Sequence, residues 1–216
     1  MKTGDAINTI FLDIETKPGD EPNLEDFESK ANLKDPEKIR ADLEEKKDKA
    51  WRSSMLDPFT GGIYCIGIAV DDGQPFSFFH DDEKRMMELF DEWLSNYSFP
   101  RIVSHFGFTF DFQWLFYKGL KYKLRTVVAA FAKGGVSKLI DTAPIMDNLA
   151  WKTYVSQDKM SRLLLGRPGK WEIDGSMVFD LIRNGEGHRV IKYCVEDDVP
   201  TLRECYYELD KYGLIS

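Results

Sequence analysis

Asp13 and Glu15 lie one residue apart in the apolar run FLDIET, and side chains alternate along a strand, so both project on one face. Ile14 points the other way. Two carboxylates 4 Å apart repel by about 4 kcal/mol at an effective dielectric of 20, and a hard divalent cation bound by both would resolve that conflict. Taken alone, the pair reads first as a solvated strand end.

Two further pieces carry chemistry. In SHFGFTFD (104–111) a short strand runs into a loop with one glycine and three phenylalanines and delivers Asp111 to a helix start, where an acid is also favoured by the helix dipole. In YCVED, Tyr193 and Asp197 stand at i and i+4, one above the other on a helix, so a phenol and a carboxylate can address one point. Asp198 follows directly. Only Asp197 stands four residues after Tyr193, so Asp197 is taken as the partner.

The elements that must position these residues form an α/β pattern. Residues 7–14 make a mostly apolar run expected of a central strand, and GGIYCIGIAV (61–70) with 75–80 across the Asp71-Asp72-Gly73 turn make an antiparallel hairpin. Residues 83–97 place Met86, Met87, Leu89, Phe90, Trp93 and Leu94 on one broad helical side. Short strands are expected at 101–104 and 138–140, with helices opening at 111–117 and over 146–154, 177–184 and 187–211. Between 20 and 57 the composition turns charged and helix-favouring, with Asp35 as N-cap and Pro36 at the first helical position. That stretch is expected to be a solvated helical insertion.

A chain of 216 residues and 25.0 kDa has room for one domain and excludes a complete polymerase or helicase. With 43% hydrophobic residues it can bury a core. Its net charge of −8 argues against a protein that coats nucleic acid. The charge is unevenly spread: residues 112–192 carry fourteen Lys and Arg against seven Asp and Glu. Lys118, Lys121, Lys123 and Arg125 form one basic cluster, while Arg162, Arg167 and Lys170 flank a Gly166–Gly169 loop. Both groups are candidate phosphate contacts. Three cysteines without C-x-x-C spacing indicate neither a zinc site nor a disulfide framework. No long apolar run precedes the first acidic residues or occurs later, so a soluble, cytoplasmic protein of a bacterial or phage-infected cell is expected, with no membrane partner.

The order of the three acidic pieces resembles the DEDDy branch of the DnaQ-like 3′-to-5′ exonucleases, and most closely the proofreading exonuclease domain of family B DNA polymerases. FLDIET supplies Asp13 and Glu15, FGFTFD supplies Asp111, and YCVED supplies Tyr193 and Asp197; IDT (140–142) and IDGSMVFDL match the spacing less specifically. The sister branch, with histidine five residues before the last aspartate, does not fit, because that position is Lys192 and His188 is too far upstream. Phe106 stands where the family often has asparagine, which would exchange a polar substrate contact for stacking.

The resemblance implies one ribonuclease H-like domain over 1–216, with a central mixed sheet of about five strands between helices. It also implies two-metal phosphodiester hydrolysis with Mg²⁺ or Mn²⁺ ions about 3.5 to 4 Å apart. Asp13, Glu15, Asp111 and Asp197 would be the metal ligands, and Tyr193 would orient the attacking water. The substrate would be DNA, single-stranded or frayed at its 3′ end, with Ile14, Thr16, Phe106, Phe108, Arg162, Arg167 and Lys170 as candidate contacts. A replication or recombination protein is a further expected partner. Two alternatives stay open: an exoribonuclease of the same fold, since no 2′-hydroxyl discriminator is legible, and a catalytically silent scaffold that binds DNA ends.

Overall fold

The computed structural model describes residues 8–147, 154–169 and 172–215. Its centre is a mixed five-stranded sheet in the order β3-β2-β1-β4-β5. The strands are β1 (Thr9–Lys17), β2 (Gly62–Val70), β3 (Phe76–Phe79), β4 (Arg101–Ser104) and β5 (Lys138–Asp141). The hairpin expected at Asp71-Asp72-Gly73 joins β2 to β3 antiparallel, β2 pairs antiparallel with β1, and β4 and β5 continue the sheet in parallel. β1 runs three residues past the expected end at 14, so Glu15 is a strand residue, with a bulge between Glu15 and Thr16.

The helices are α1 (Pro36–Ser54), α2 (Glu83–Leu94), α3 (Asp111–Tyr122), α4 (Arg125–Phe131), α5 (Thr142–Asp147), α6 (Gln157–Leu165), α7 (Val178–Arg183), α8 (Gly187–Tyr193) and α9 (Val199–Lys211). α4 and α6 were not expected from the sequence, and the helix expected over 146–154 falls mostly outside the described residues.

Alternation along β1 divides the core. Ile10, Leu12 and Ile14 face α2, α3 and α4 in the larger cluster, which includes Phe90, Trp114 and Phe131. Phe11 faces the other way, into a cluster with Val199, Leu202 and Tyr206 of α9. Asp13 and Glu15 therefore share the face on which the C-terminal helices pack.

The single helix expected over 187–211 is continuous but carries a bulge. Between α8 and α9 lies one π-helical turn, Cys194–Asp198, in which the Val199 amide donates to the Cys194 carbonyl. Proline at 200 is the physical cause: it has no N–H to give to residue 196 and its ring crowds that carbonyl, so the helix absorbs the conflict as a bulge.

The insertion is helical, and Asp35 caps α1 by accepting from the Glu37 amide. It is not merely a solvated appendage. Trp51 donates from Nε1 to the Gly19 carbonyl at 2.9 Å and meets Phe179 edge-on, and Arg52 forks onto Asp180 at 2.7 and 3.1 Å. Asp42, buried on α1, pairs with Lys46 at 3.0 Å and Lys30 at 3.1 Å and accepts from the Lys30 amide at 3.0 Å. The Lys46 ammonium, followed by Lys30, holds the Asp42 carboxyl at about 2, below its ordinary 3.8. Because the folded value is depressed, this tether is complete above about pH 4 and is lost as the pH falls through about 2. Asp42→Asn is expected to speed tryptic cleavage at Lys30 and Lys34 several-fold at neutral pH, read by gel and mass spectrometry. Unchanged cleavage would remove Asp42 from that role.

Candidate active site

Two elements bring the carboxylates to the site. Asp13 and Glu15 come from β1, and Asp198 comes from the π turn. One oxygen from each lies within 4.8 Å of the others. A turn closed by an i→i+5 hydrogen bond is wider than an α turn, so the residue five beyond Tyr193, not four, returns to the sheet. Asp198 thus takes the place that α-helical spacing assigned to Asp197. The Asp197 carboxyl instead opens onto a neighbouring cleft of about 430 Å³ with His188, Lys192 and Glu196. Gln157 of α6 fixes Asp198, donating from Nε2 to its carbonyl at 2.9 Å and to Oδ1 at 3.3 Å.

Asp111 is 2% exposed and is turned back from the start of α3 onto the sheet. Its Oδ1 accepts from the Ile14 amide at 3.0 Å and its Oδ2 from the Ser104 hydroxyl at 2.9 Å. Burial pushes this carboxyl up to about 7, against those hydrogen bonds, and Asp141 adds to the rise. A surface acid stabilised only by the helix dipole would not be buried in this way. Asp111 lines the same cleft as Asp13, Glu15 and Asp198 but is not one of the three with converging oxygens.

The cleft holds about 370 Å³ and is walled by Phe106, Thr109 and Phe110 opposite Tyr193. Burial first, then the carboxylates of Asp198 and Glu15, pushes the Tyr193 phenol far up, so at neutral pH it is a hydrogen-bond donor and not a base. Cys194 lies behind Asp13, with Sγ 3.5 Å from Oδ2.

One residue with a positioning role was seen in the sequence only as part of a loose IDT match. Asp141, at the end of β5, accepts from the amides of Phe106 at 2.9 Å and Phe108 at 3.0 Å. It thereby holds the loop in which Phe106 takes a left-handed φ of 64°. His105 joins the same support, with Nδ1 2.9 Å from the Thr142 hydroxyl and Nε2 2.7 Å from the Val155 carbonyl. A strand-end aspartate followed by threonine was the only sequence signal for this.

The candidate substrate contacts separate. Phe106 lines the carboxylate cleft, and so does Ile14, although its side chain is core. Thr16 is buried and donates its hydroxyl to the Met55 carbonyl at 2.8 Å. Phe108 lies edge-on to Phe112 beside a different, apolar cleft with Phe116 and Tyr117. Arg162 pairs with Asp158 and Arg167 with Glu204, each on the outer surface, and neither lines the carboxylate cleft. Lys170 lies outside the described residues. Lys118 is fully buried, donating to the Gly61 carbonyl at 2.6 Å and lying 3.4 Å from Glu83, so it is no phosphate contact.

The three converging carboxylates are a hard-oxygen donor set that fits Mg²⁺ or Mn²⁺. Among the described residues no helix is long and apolar enough to cross a membrane.

Comparison with known proteins bears on the family and the fold. A family model described as a predicted 3′-5′ exonuclease related to the exonuclease domain of PolB matches residues 75–206. No curated protein matches significantly. Among solved structures, the family B DNA polymerase of the hyperthermophilic archaeon Pyrobaculum calidifontis superposes with a TM-score of 0.64 at 14% identity, over 97% of this chain and 25% of that one. The chain therefore spans about a quarter of that polymerase's length. The likeness establishes the ribonuclease H-like fold: a mixed five-stranded sheet flanked by helices.

Proposed function

Because the chain belongs to the family of predicted 3′-5′ exonucleases related to the exonuclease domain of PolB, we propose that its carboxylate cleft removes nucleotides one at a time from 3′ ends of DNA. The observation that carries this reading is the convergence of Asp13, Glu15 and Asp198 within 4.8 Å beside a buried tyrosine. Water would attack the terminal phosphorus, the bond from phosphorus to the 3′-oxygen of the preceding nucleotide would break, and that oxygen would leave with a proton. The products are a nucleoside 5′-monophosphate and a strand one residue shorter.

Two divalent cations, Mg²⁺ or Mn²⁺, would supply the charge that activates the water and offsets the leaving oxygen. Asp13, Glu15 and Asp198 would hold them, with Asp111 acting on Ile14 of the same strand and, through water, on the second ion. Tyr193 would donate its phenolic hydrogen bond toward the water and orient it. Phe106 would pack against a splayed base.

The test is digestion of matched DNA and RNA oligonucleotides with Mg²⁺, each labelled at the 5′ or the 3′ end. The expected pattern is a 5′-labelled ladder shortening by single residues, immediate release of the 3′ label as mononucleotide, and DNA cut faster than RNA. Internal cuts, or release from the 5′ end, would overturn the reading. Tyr193→Phe is expected to slow turnover by about 10- to 100-fold with little change in KM, because orientation of the water is lost and substrate contacts are not.

A further inference from the structure

An apolar groove of about 390 Å³ adjoins the carboxylate cleft. The two share Glu15, Phe110 and Gly175, so they adjoin at these three residues. Much of the groove's outer wall belongs to the insertion: Arg52, Met55 and Leu56 face Val178 and Phe179 across it. This wall lies outside the segment matched by the family model, which begins at residue 75.

We propose that the C-terminal turn of the insertion helix completes the subsite for the 3′-terminal nucleobase, with Leu56 as the residue that covers its face. The inference rests on the exonuclease reading above and adds to it the part of the chain that grips the end being removed.

Three observations support this occupant. The groove's charges are already committed: Glu15 belongs to the carboxylate cluster, and Arg52 pairs with Asp48 and Asp180 while its guanidinium lies 4.2 Å over the Phe179 ring. A phosphate therefore has no uncommitted cation among the lining residues, whereas a flat base has apolar surface on either side. Next, the wall is fixed to the strand that carries the carboxylates. The Met55 carbonyl accepts from Thr16 at 2.8 Å, the Ser54 hydroxyl accepts from the Gly19 amide at 2.9 Å, and Met55 itself is buried. Leu56, the next residue, is 72% exposed and lines the groove, so its side chain is available to cover a base lying there. Finally, Gly175 lines both clefts, and a Cβ built there meets no atom within 4 Å, so a larger side chain can be placed at their junction without a clash.

The experiment uses oligonucleotides carrying a tetrahydrofuran abasic residue at the 3′-terminal or the penultimate position, compared with the normal strand. Binding is measured with Ca²⁺ by fluorescence anisotropy, and hydrolysis with Mg²⁺. Wild type is expected to bind the terminally abasic strand about fivefold or more weakly than the normal one. Leu56→Ala, and Gly175→Leu as a second variant that fills the junction, are expected to erase that difference while their melting temperatures stay near wild type. The penultimate substitution should affect wild type and variants equally. Retention of the wild-type discrimination by both variants, or discrimination that follows the penultimate base, would overturn the proposal. If no strand is hydrolysed, the exonuclease reading fails, while the binding arm still decides whether Leu56 senses the terminal base.

Discussion

Asp13→Ala and Asp198→Ala are expected to lower the hydrolysis rate by at least about 10³-fold, while Asp197→Asn stays within about threefold of wild type. The size follows from what each carboxylate does. A bound divalent ion supplies several kcal/mol of transition-state charge stabilisation, and each tenfold in rate corresponds to about 1.4 kcal/mol, so losing a ligand from a three-carboxylate set removes about three decades. Asp197 lies outside that set and opens onto another cleft, where burial and then Glu196 push its carboxyl up without bringing it to Asp13. Initial rates on a 5′-labelled single strand with Mg²⁺ give the order, and calorimetric titration with Mn²⁺ checks that binding is lost with it. Asp197→Asn as damaging as Asp198→Ala would show that the π turn does not set the ligand.

That contrast also shows how far the sequence could be read. β1 was legible because residues 7–14 form a mostly apolar run, and the alternation of side chains along it places the two carboxylates on the face of the C-terminal helices. The start of α1 was legible because aspartate followed by proline has a local physical meaning at a helix N-terminus. Asp198 was not, because the spacing argument assumed 3.6 residues per turn through a segment that does not keep it. The warning was Pro200, which cannot continue an α-helical ladder back to residue 196. Lys118 was misread for a related reason. Counted as one of a basic cluster it resembles a phosphate contact, yet it follows Trp114 by four residues on the buried stripe of α3, where burial pushes its ammonium down and Glu83 opposes that shift. The groove beside Leu56 had no sequence signature, because its walls come from segments more than a hundred residues apart.

Gly67→Ala is expected to weaken both fold and activity through a single close contact. Gly67 on β2 stands opposite Asp13 on β1, and the π turn packs directly onto it. A Cβ there would lie 2.5 Å from Cys194 Sγ and 3.0 Å from Val199 Cγ2, both on fully buried residues. Neither neighbour is the free end of a flexible chain, so the turn must lift from the sheet, and Asp198 moves with it. Overpacking of this kind costs about 1–3 kcal/mol. For a domain of this size that corresponds to a melting temperature lower by roughly 2–12 °C. The activity loss is expected to be larger in proportion, about tenfold or more, because a ligand displaced by about 1 Å loses its geometry before the core loses its stability. Cys194→Ala in the same chain removes the atom responsible for the shorter contact, and the double variant should recover a large part of both losses while Cys194→Ala alone is mild. Such recovery is a coupling between two residues in contact, which a general destabilisation would not produce. If the double variant is merely the sum of the two singles, the π turn is not held in place through Gly67.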